Sequence, residues 1–196
     1  GGVNLVAPFD DFTWITKQGI NGPIFALIAL DTKQYATGDS TIRQQCIEYI
    51  LSRQLSDGGW ALSGITADPD ITAMTLQALA NYRSDAAVSD AAEKGIACLS
   101  AMQKDNGGYY SWGAVNSESI AQVITACTAW GIDPHTDARF IKNGNSAVDA
   151  LLTFYIADKC GFAHVLESGG GYTGGEVNPM ATDQACYALV SYIRLQ

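Results

Sequence analysis

Basic residues are scarce: 11 Lys and Arg against 20 Asp and Glu in 196 residues give a formal charge of −9. Nucleic acid and anionic lipid are bound through Lys/Arg patches, and this balance argues against both as partners. Charged residues of either sign total only 16%, while aliphatic and aromatic ones reach 47%. A disordered chain shows the opposite pattern, so this one is long and apolar enough to fold around a core. No apolar run approaches the roughly 18 residues of a membrane-spanning helix, so no membrane insertion is expected. Histidine occurs only at positions 135 and 164, and Gly-x-Ser-x-Gly is missing, which leaves a serine-hydrolase triad little material. The loop position of His135, after Asp133-Pro134, reads as non-catalytic.

The five cysteines, Cys46, Cys98, Cys127, Cys160 and Cys186, are odd in number and contain no Cys-x-x-Cys pair, which argues against a disulfide framework. Four of them fall within apolar helical patterns and, with Cys160 at a helix end, read as buried thiols. No signal peptide is recognisable, and Gly1-Gly2 reads as a trimmed boundary. Little Lys with abundant Ser, Thr, Asn, Gly and Tyr fits a secreted surface.

What the chain does have is a repeat of about fifty residues. Gln54-Leu55-Ser56-Asp57-Gly58-Gly59-Trp60 returns as Gln103-Lys104-Asp105-Asn106-Gly107-Gly108-Tyr109, and a decayed third copy, 157–162, ends in Gly161-Phe162. Each copy closes a segment with apolar residues at helical spacing and charges opposite: 41–54, 85–103 and 145–158. Between them lie four segments without a charge, 23–30, 71–81, 119–131 and 184–193, which read as helices buried on both sides. Asp68-Pro69, Asn116-Ser117 and Asn178-Pro179 supply helix starts, since the cap oxygen takes an orphan N–H and Pro has none to leave unpaired. Pro23 begins the first charge-free helix in the same manner. The architecture expected is all-α, a single domain over 1–196 with about seven long helices, four inner and three outer. An ankyrin or tetratricopeptide solenoid has a shorter period and no Gly-Gly-aromatic turn.

The Gln-x-x-x-Gly-Gly-Trp turn followed by a capped, charge-free helix resembles the repeat of the terpenoid cyclase and protein prenyltransferase superfamily, over about 19–192. The resemblance implies an α/α toroid, present here as a partial α-α barrel with fewer helices than a full ring. Gly19-Ile20-Asn21-Gly22-Pro23, Ser119-Ile120-Ala121-Gln122 and Asn178-Pro179-Met180-Ala181-Thr182-Asp183 look most like the surface-protein branch of Gram-positive bacteria, itself similar to the α domain of transcobalamin and intrinsic factor. It implies a piece of a larger secreted protein with an adjoining β domain. A corrinoid is then a candidate ligand, beside a glycan, another small molecule or a protein, and no cofactor is required.

Two enzyme motifs are weighed against that. Asp68-Pro69-Asp70-Ile71-Thr72-Ala73 resembles the acidic signature of class II terpene cyclases, with Asp70 as the acid, but Ile71 replaces the last carboxylate and both acids serve equally as a helix start. Asp158, Cys160 and His164 are the ligand types of a prenyltransferase zinc site, yet they crowd one turn at the end of an outer helix. The glycine-rich run 168–175 lacks the Lys-Ser/Thr of a phosphate loop and reads as an insertion in the last repeat. If the repeats superpose, Trp60, Tyr109, Tyr110, Trp112 and Tyr172 gather at one rim beside Asp70, Glu118 and Asp183. Aromatics and acids around a concavity suit a flat, amphipathic or cationic ligand. Trp60 and Tyr109 fit a second role there, as plugs of their turns. The leading expectation is a non-catalytic ligand-binding or interaction domain, with no catalytic residue and no metal.

Overall fold

The computed structural model describes residues 2–169 and 171–196; Gly1, and Gly170 in the glycine-rich run, lie outside the described residues. The fold is mainly α. Its helices are α1 (Phe12–Ile15), α2 (Asn21–Asp31), α3 (Ile42–Ser52), α4 (Pro69–Leu79), α5 (Ala86–Met102), α6 (Ser117–Ala129), α7 (Ala147–Leu152) and α8 (Pro179–Leu195). Among the described residues, six two-residue strands pair as antiparallel hairpins: β1 (Tyr110–Ser111) with β2 (Ala114–Val115), β3 (Ile141–Lys142) with β4 (Asn145–Ser146), and β5 (Tyr155–Ile156) with β6 (Gly161–Phe162). No helix among the described residues is long and apolar enough to cross a membrane.

The helix starts follow from their first residues. Asp68 Oδ1 accepts the Asp70 and Ile71 N–H groups at 2.9 and 3.0 Å, with Pro69 next in line. Asn178 does the same for α8, and Asn116 caps α6 through the Ser119 N–H at 2.8 Å. Helix α2 departs from the pattern, beginning ahead of Pro23 with no side-chain cap.

The helices that contain the charge-free segments, α2, α4, α6 and α8, pack side by side in that order, and α3, α5 and α7 lie against α2, α4 and α6. Without a charge beyond their first-turn acids, Asp70 and Glu118, α4 and α6 bury both faces, down to Thr72, Thr75 and Thr125. Two apolar cores result, one around α2–α4 and one around α4–α8, and Trp130 packs against both.

Each repeat turn is a joint between layers. Gln54 Nε2 donates to the Gly58 carbonyl at 2.8 Å and the Ala91 carbonyl of α5 at 2.7 Å. Gln103 repeats this with Gly107 and Phe140, at 3.1 and 2.8 Å. The aromatic residue then accepts, through its carbonyl, the N–H of the next cap: Asp68 to Trp60 at 2.9 Å, Asn116 to Tyr109 at 3.4 Å, Asn178 to Phe162 at 2.9 Å. The third copy has lost its Gln and one Gly but keeps this bond. It also keeps a hydroxyl contact, since the Trp60 N–H donates to Thr72 Oγ1 and the Phe162 N–H to Thr182 Oγ1, both at 2.9 Å.

Three expectations are corrected. The helix expected over 145–158 runs only from Ala147 to Leu152, because Thr153-Phe154 turns the chain and Tyr155-Ile156, which favours extended backbone, pairs as β5 with β6 around a left-handed Cys160. Helix α8 buries only Ala181, Ala185 and Ala188, leaving Met180, Tyr187, Val190 and Ile193 exposed, so it is covered on one side. Cys46, Cys98 and Cys127 are buried, whereas Cys160 and Cys186 are exposed. Burial pushes the Cys46 thiol up to about 12 and the Cys98 thiol to about 11, which keeps both protonated and unreactive at neutral pH.

Candidate functional site at the starts of α4 and α6

The caps that start α4 and α6 also bring their first-turn acids to one end of this pair of packed helices. Asp68 uses Oδ1 as a cap, and its Oδ2 accepts the Ser111 hydroxyl at 2.9 Å. Asp70 lies one step into α4, half-buried, and its Oδ1 is enclosed without a hydrogen-bond partner. Burial raises its pKa; the neighbouring Ser119 hydroxyl opposes this, the Asp68 charge adds to it, Ser111 opposes it and Glu118 adds to it. Glu118, 7% exposed, sits at the same place in α6. Its Oε2 accepts the Ser117 hydroxyl at 3.1 Å and lies 2.7 Å from His164 Nδ1, while Oε1 is enclosed and unpaired. Ser119, with no exposed surface, has an unpaired hydroxyl as well. The His164 ring is overlain by Tyr172 at a centroid distance of 4.4 Å.

Asp70 Oδ1, Glu118 Oε1 and Ser119 Oγ are thus enclosed in one polar cluster, with the Ser119 hydroxyl against the Asp70 carboxyl. Each such atom left unpaired costs about 1–3 kcal/mol, and natural folds carry few of them.

Of the aromatic residues expected at the rim, Tyr110, Trp112 and Tyr172 are exposed, at 54, 75 and 40%. Trp60 and Tyr109 are not part of it. Both are completely buried, Trp60 with its indole N–H on the Ile50 carbonyl at 2.8 Å, so they plug the turns and offer no surface to a ligand. Asp183 is exposed on α8 and takes part in none of the bonds above.

Trp112 and Gly113 form the tip of the β1–β2 hairpin with φ of +51° and +98°. Asn143 and Gly144 make the same turn between β3 and β4, with φ of +49° and +83°. Asn suits that left-handed position and Trp does not, at a cost of about 1–2 kcal/mol. Trp112 borders a groove of about 340 Å³ shared with Leu62, Thr66, Asp68 and Ile71, which joins the hairpin tip to the start of α4.

No family model matches this chain, and no curated protein matches it. The site is accordingly read from its geometry.

The zinc-type residues are not brought together. Cys160 is exposed, His164 turns its Nδ1 to Glu118, and no group of three or more His, Cys, Asp or Glu among the described residues is arranged to hold a metal. His135 lies in the loop after α6, with Nδ1 2.8 Å from Ser146 Oγ.

Sequence reasoning missed Ser111, Ser119 and the pairing of His164 with Glu118. A signal existed: Ser111 and His164 each stand second after the repeat aromatic, Tyr109 or Phe162, and each reaches back to the start of the preceding inner helix. It also missed an amide chain across α4, α6 and α8, in which Gln77 Nε2 donates to Gln122 Oε1 and Gln122 Nε2 to Gln184 Oε1, both at 2.9 Å. Two other hollows lie elsewhere on the inner helices. One of about 420 Å³ is bordered by Asn81, Thr128, Tyr187 and Arg194, and one of about 460 Å³ by Phe9, Trp14, Lys17 and Phe25.

Asp70 gives a test of the electrostatics. Its raised pKa means that the folded protein holds this proton more tightly than the unfolded chain does. Stability therefore falls as pH rises from the usual 3.8 through the raised value. Asp70→Asn carries no charge and escapes that loss. The variant should melt higher than the parent at neutral pH and match it at pH below 3.8. An equal difference at every pH in thermal melts would contradict a buried, proton-retaining carboxyl.

Proposed function

We propose that this chain is a non-catalytic ligand-binding or interaction domain, built as an arc of an α/α toroid. The rim formed by Tyr110, Trp112, Asp70, Glu118 and Tyr172 is its binding edge. The architecture is supported by the alternation of inner and outer helices and by the turn joint recurring three times. The observation that carries the binding role is Trp112. A large aromatic residue stands three-quarters exposed in a left-handed turn position that Asn fills in the sister hairpin. Neither core packing nor turn geometry requires it, and strained exposed positions of this kind cluster at ligand contacts. The resemblance to the bacterial surface-protein branch adds a cell-surface or secreted setting, an adjoining β domain, and a corrinoid or glycan among the ligands to be tried.

A second reading makes Asp70 the proton donor of a class II terpene cyclase-like enzyme. The observation favouring it is the raised pKa of Asp70. It requires turnover of a polyprenyl substrate that Asp70→Asn abolishes.

The test of the binding reading is native mass spectrometry of the parent and Trp112→Asn with a corrinoid and oligosaccharide panel. The variant should gain about 1 kcal/mol of stability from the relaxed turn and lose the adduct that the parent forms. Adducts indifferent to Trp112, or none with either protein, would overturn the reading.

A further inference from the structure

Helices α2, α4 and α6 have α3, α5 and α7 laid against them, whereas α8 packs on α6 and β6 and leaves its other side open. The open side is ordered. Asp183, Tyr187, Val190 and Arg194 follow one another at intervals of four, three and four residues. At 3.6 residues per turn, that spacing keeps them within an arc of about 60°. All four are exposed, Tyr187 at 53% and Val190 at 46%, and the exposed Met180 and Ile193 flank them. An apolar pair closed by a charge at each end has the spacing of a helix–helix seam, where contacts recur about every 3.5 residues.

The two ends carry opposite signs. Asp183 and Arg194 are the only charged residues of α8, and neither forms an ion pair among the described residues. They stand three turns apart, about 16 Å along the axis. Intervals of four, three and four read the same in both directions, so an identical helix running the other way meets the seam in register. In that register Asp183 of each copy faces Arg194 of the other, and Tyr187 faces Val190. A parallel partner would set acid on acid and guanidinium on guanidinium, which repel. The antiparallel arrangement also opposes the two helix dipoles. Such a contact is isologous and closes at two copies.

We propose that the exposed face of α8 is a homodimer surface, on which two copies of this chain pack α8 against α8, antiparallel, about a two-fold axis between Tyr187 and Val190. None of the rim residues at the starts of α4 and α6 lies on it. Asp183, expected at the rim from the sequence, has its role here instead. One helix face from each copy is a small contact, in the class below about 1,200 Å², so self-association is expected to be weak, in the micromolar range.

The experiment is sedimentation equilibrium of the whole chain from about 5 to about 500 µM, the range that brackets such an affinity. Reductant is present, so that the exposed Cys186 cannot cross-link the copies. The parent should pass from monomer towards dimer over this range, with no larger species. Asp183→Arg and Arg194→Asp each bring like charges together at both ends of the seam, and each should raise the dissociation constant by about tenfold. The double variant Asp183→Arg/Arg194→Asp restores opposite charges and should return it to within about threefold of the parent. That rescue separates pairing from any effect on folding. The double variant is the least favourable for the dipole of α8, so an effect on the helix alone would make it the worst of the three. Four outcomes would overturn the proposal: a parent still monomeric at the highest concentration, open-ended assemblies beyond a dimer, association unchanged in both single variants, or a double variant as weak as the single ones. The first of these would leave α8 to be covered by a different protein or domain.

Discussion

Trp60→Ala is expected to destabilise the fold by about 3–5 kcal/mol, the usual loss for a buried Trp truncated to Ala. The indole has no exposed surface and fills the space between α3, α4 and α5. Its ring rests on the backbone of α5 at Gly95, where even a Cβ would come within 2.8 Å of it. Removal would therefore leave a cavity that a close-packed interior cannot collapse around, and would leave the Ile50 carbonyl without the indole N–H. Trp60→Phe separates the two contributions, since it keeps much of the volume and loses the hydrogen bond. It should cost less than Trp60→Ala but more than about 1 kcal/mol by urea denaturation. A loss under that value in Trp60→Ala would mean that Trp60 is not the plug of its turn.

Gly107→Ala should be nearly as damaging, at about 3 kcal/mol or more. Gly107 sits in the second Gly-Gly-aromatic turn with φ of +79°, a conformation an L-residue resists by about 1–2 kcal/mol. A Cβ there would also overlap the Ser146 carbonyl, the residue that begins α7 with a capping box, so the turn and the outer helix would have to separate. Gly113→Ala is the control. Its φ is +98° but nothing lies near it, and it should lose only the conformational share of about 1–2 kcal/mol. Equal losses at the two positions would contradict a tight joint between layers at Gly107.

Much of the fold was legible because the features that carry it are local. Asp68-Pro69, Asn116 and Asn178-Pro179 announce helix starts through bonds that span two or three residues. The absence of charge along α4 and α6 after their first turns announces burial on both faces, since an unpaired charge there would be prohibitively costly. The end of α7 was not legible, because 145–158 keeps helical spacing and the competing pairing of Tyr155 with Phe162 depends on a tertiary partner. Nor was the one-sided burial of α8, where an apolar residue such as Ile193 signals the capacity for burial but not the neighbour that provides it.

The site was legible in part. Asp70 and Glu118 stood out as the acids of otherwise uncharged helices, and Trp112 stood out as an aromatic residue that the repeat does not need. Trp60 and Tyr109 were drawn to the same rim by their position in the repeat, although that position is where the turn enters the core. Ser111 belongs to no motif, Ser119 was read only as part of a charge-free helix, and His164 was weighed as a zinc ligand beside Cys160 and not as a partner of Glu118. They matter through contacts across repeats, with Ser111 meeting Asp68 and His164 meeting Glu118 over more than forty residues of chain.

The measurement that tests the central claim most directly is a titration of the ¹⁵N-labelled chain with the corrinoid and oligosaccharide panel, followed by ¹H–¹⁵N spectra. A ligand held at the rim should move the amides of Ser111, Glu118, Ser119 and His164 together with the Trp112 indole, and leave those of Lys17, Phe25, Asn81 and Thr128 in place. Shifts confined to the hollow beside Phe9 and Phe25 or to the groove beside Asn81 and Thr128, or no shifts with any ligand, would contradict the account.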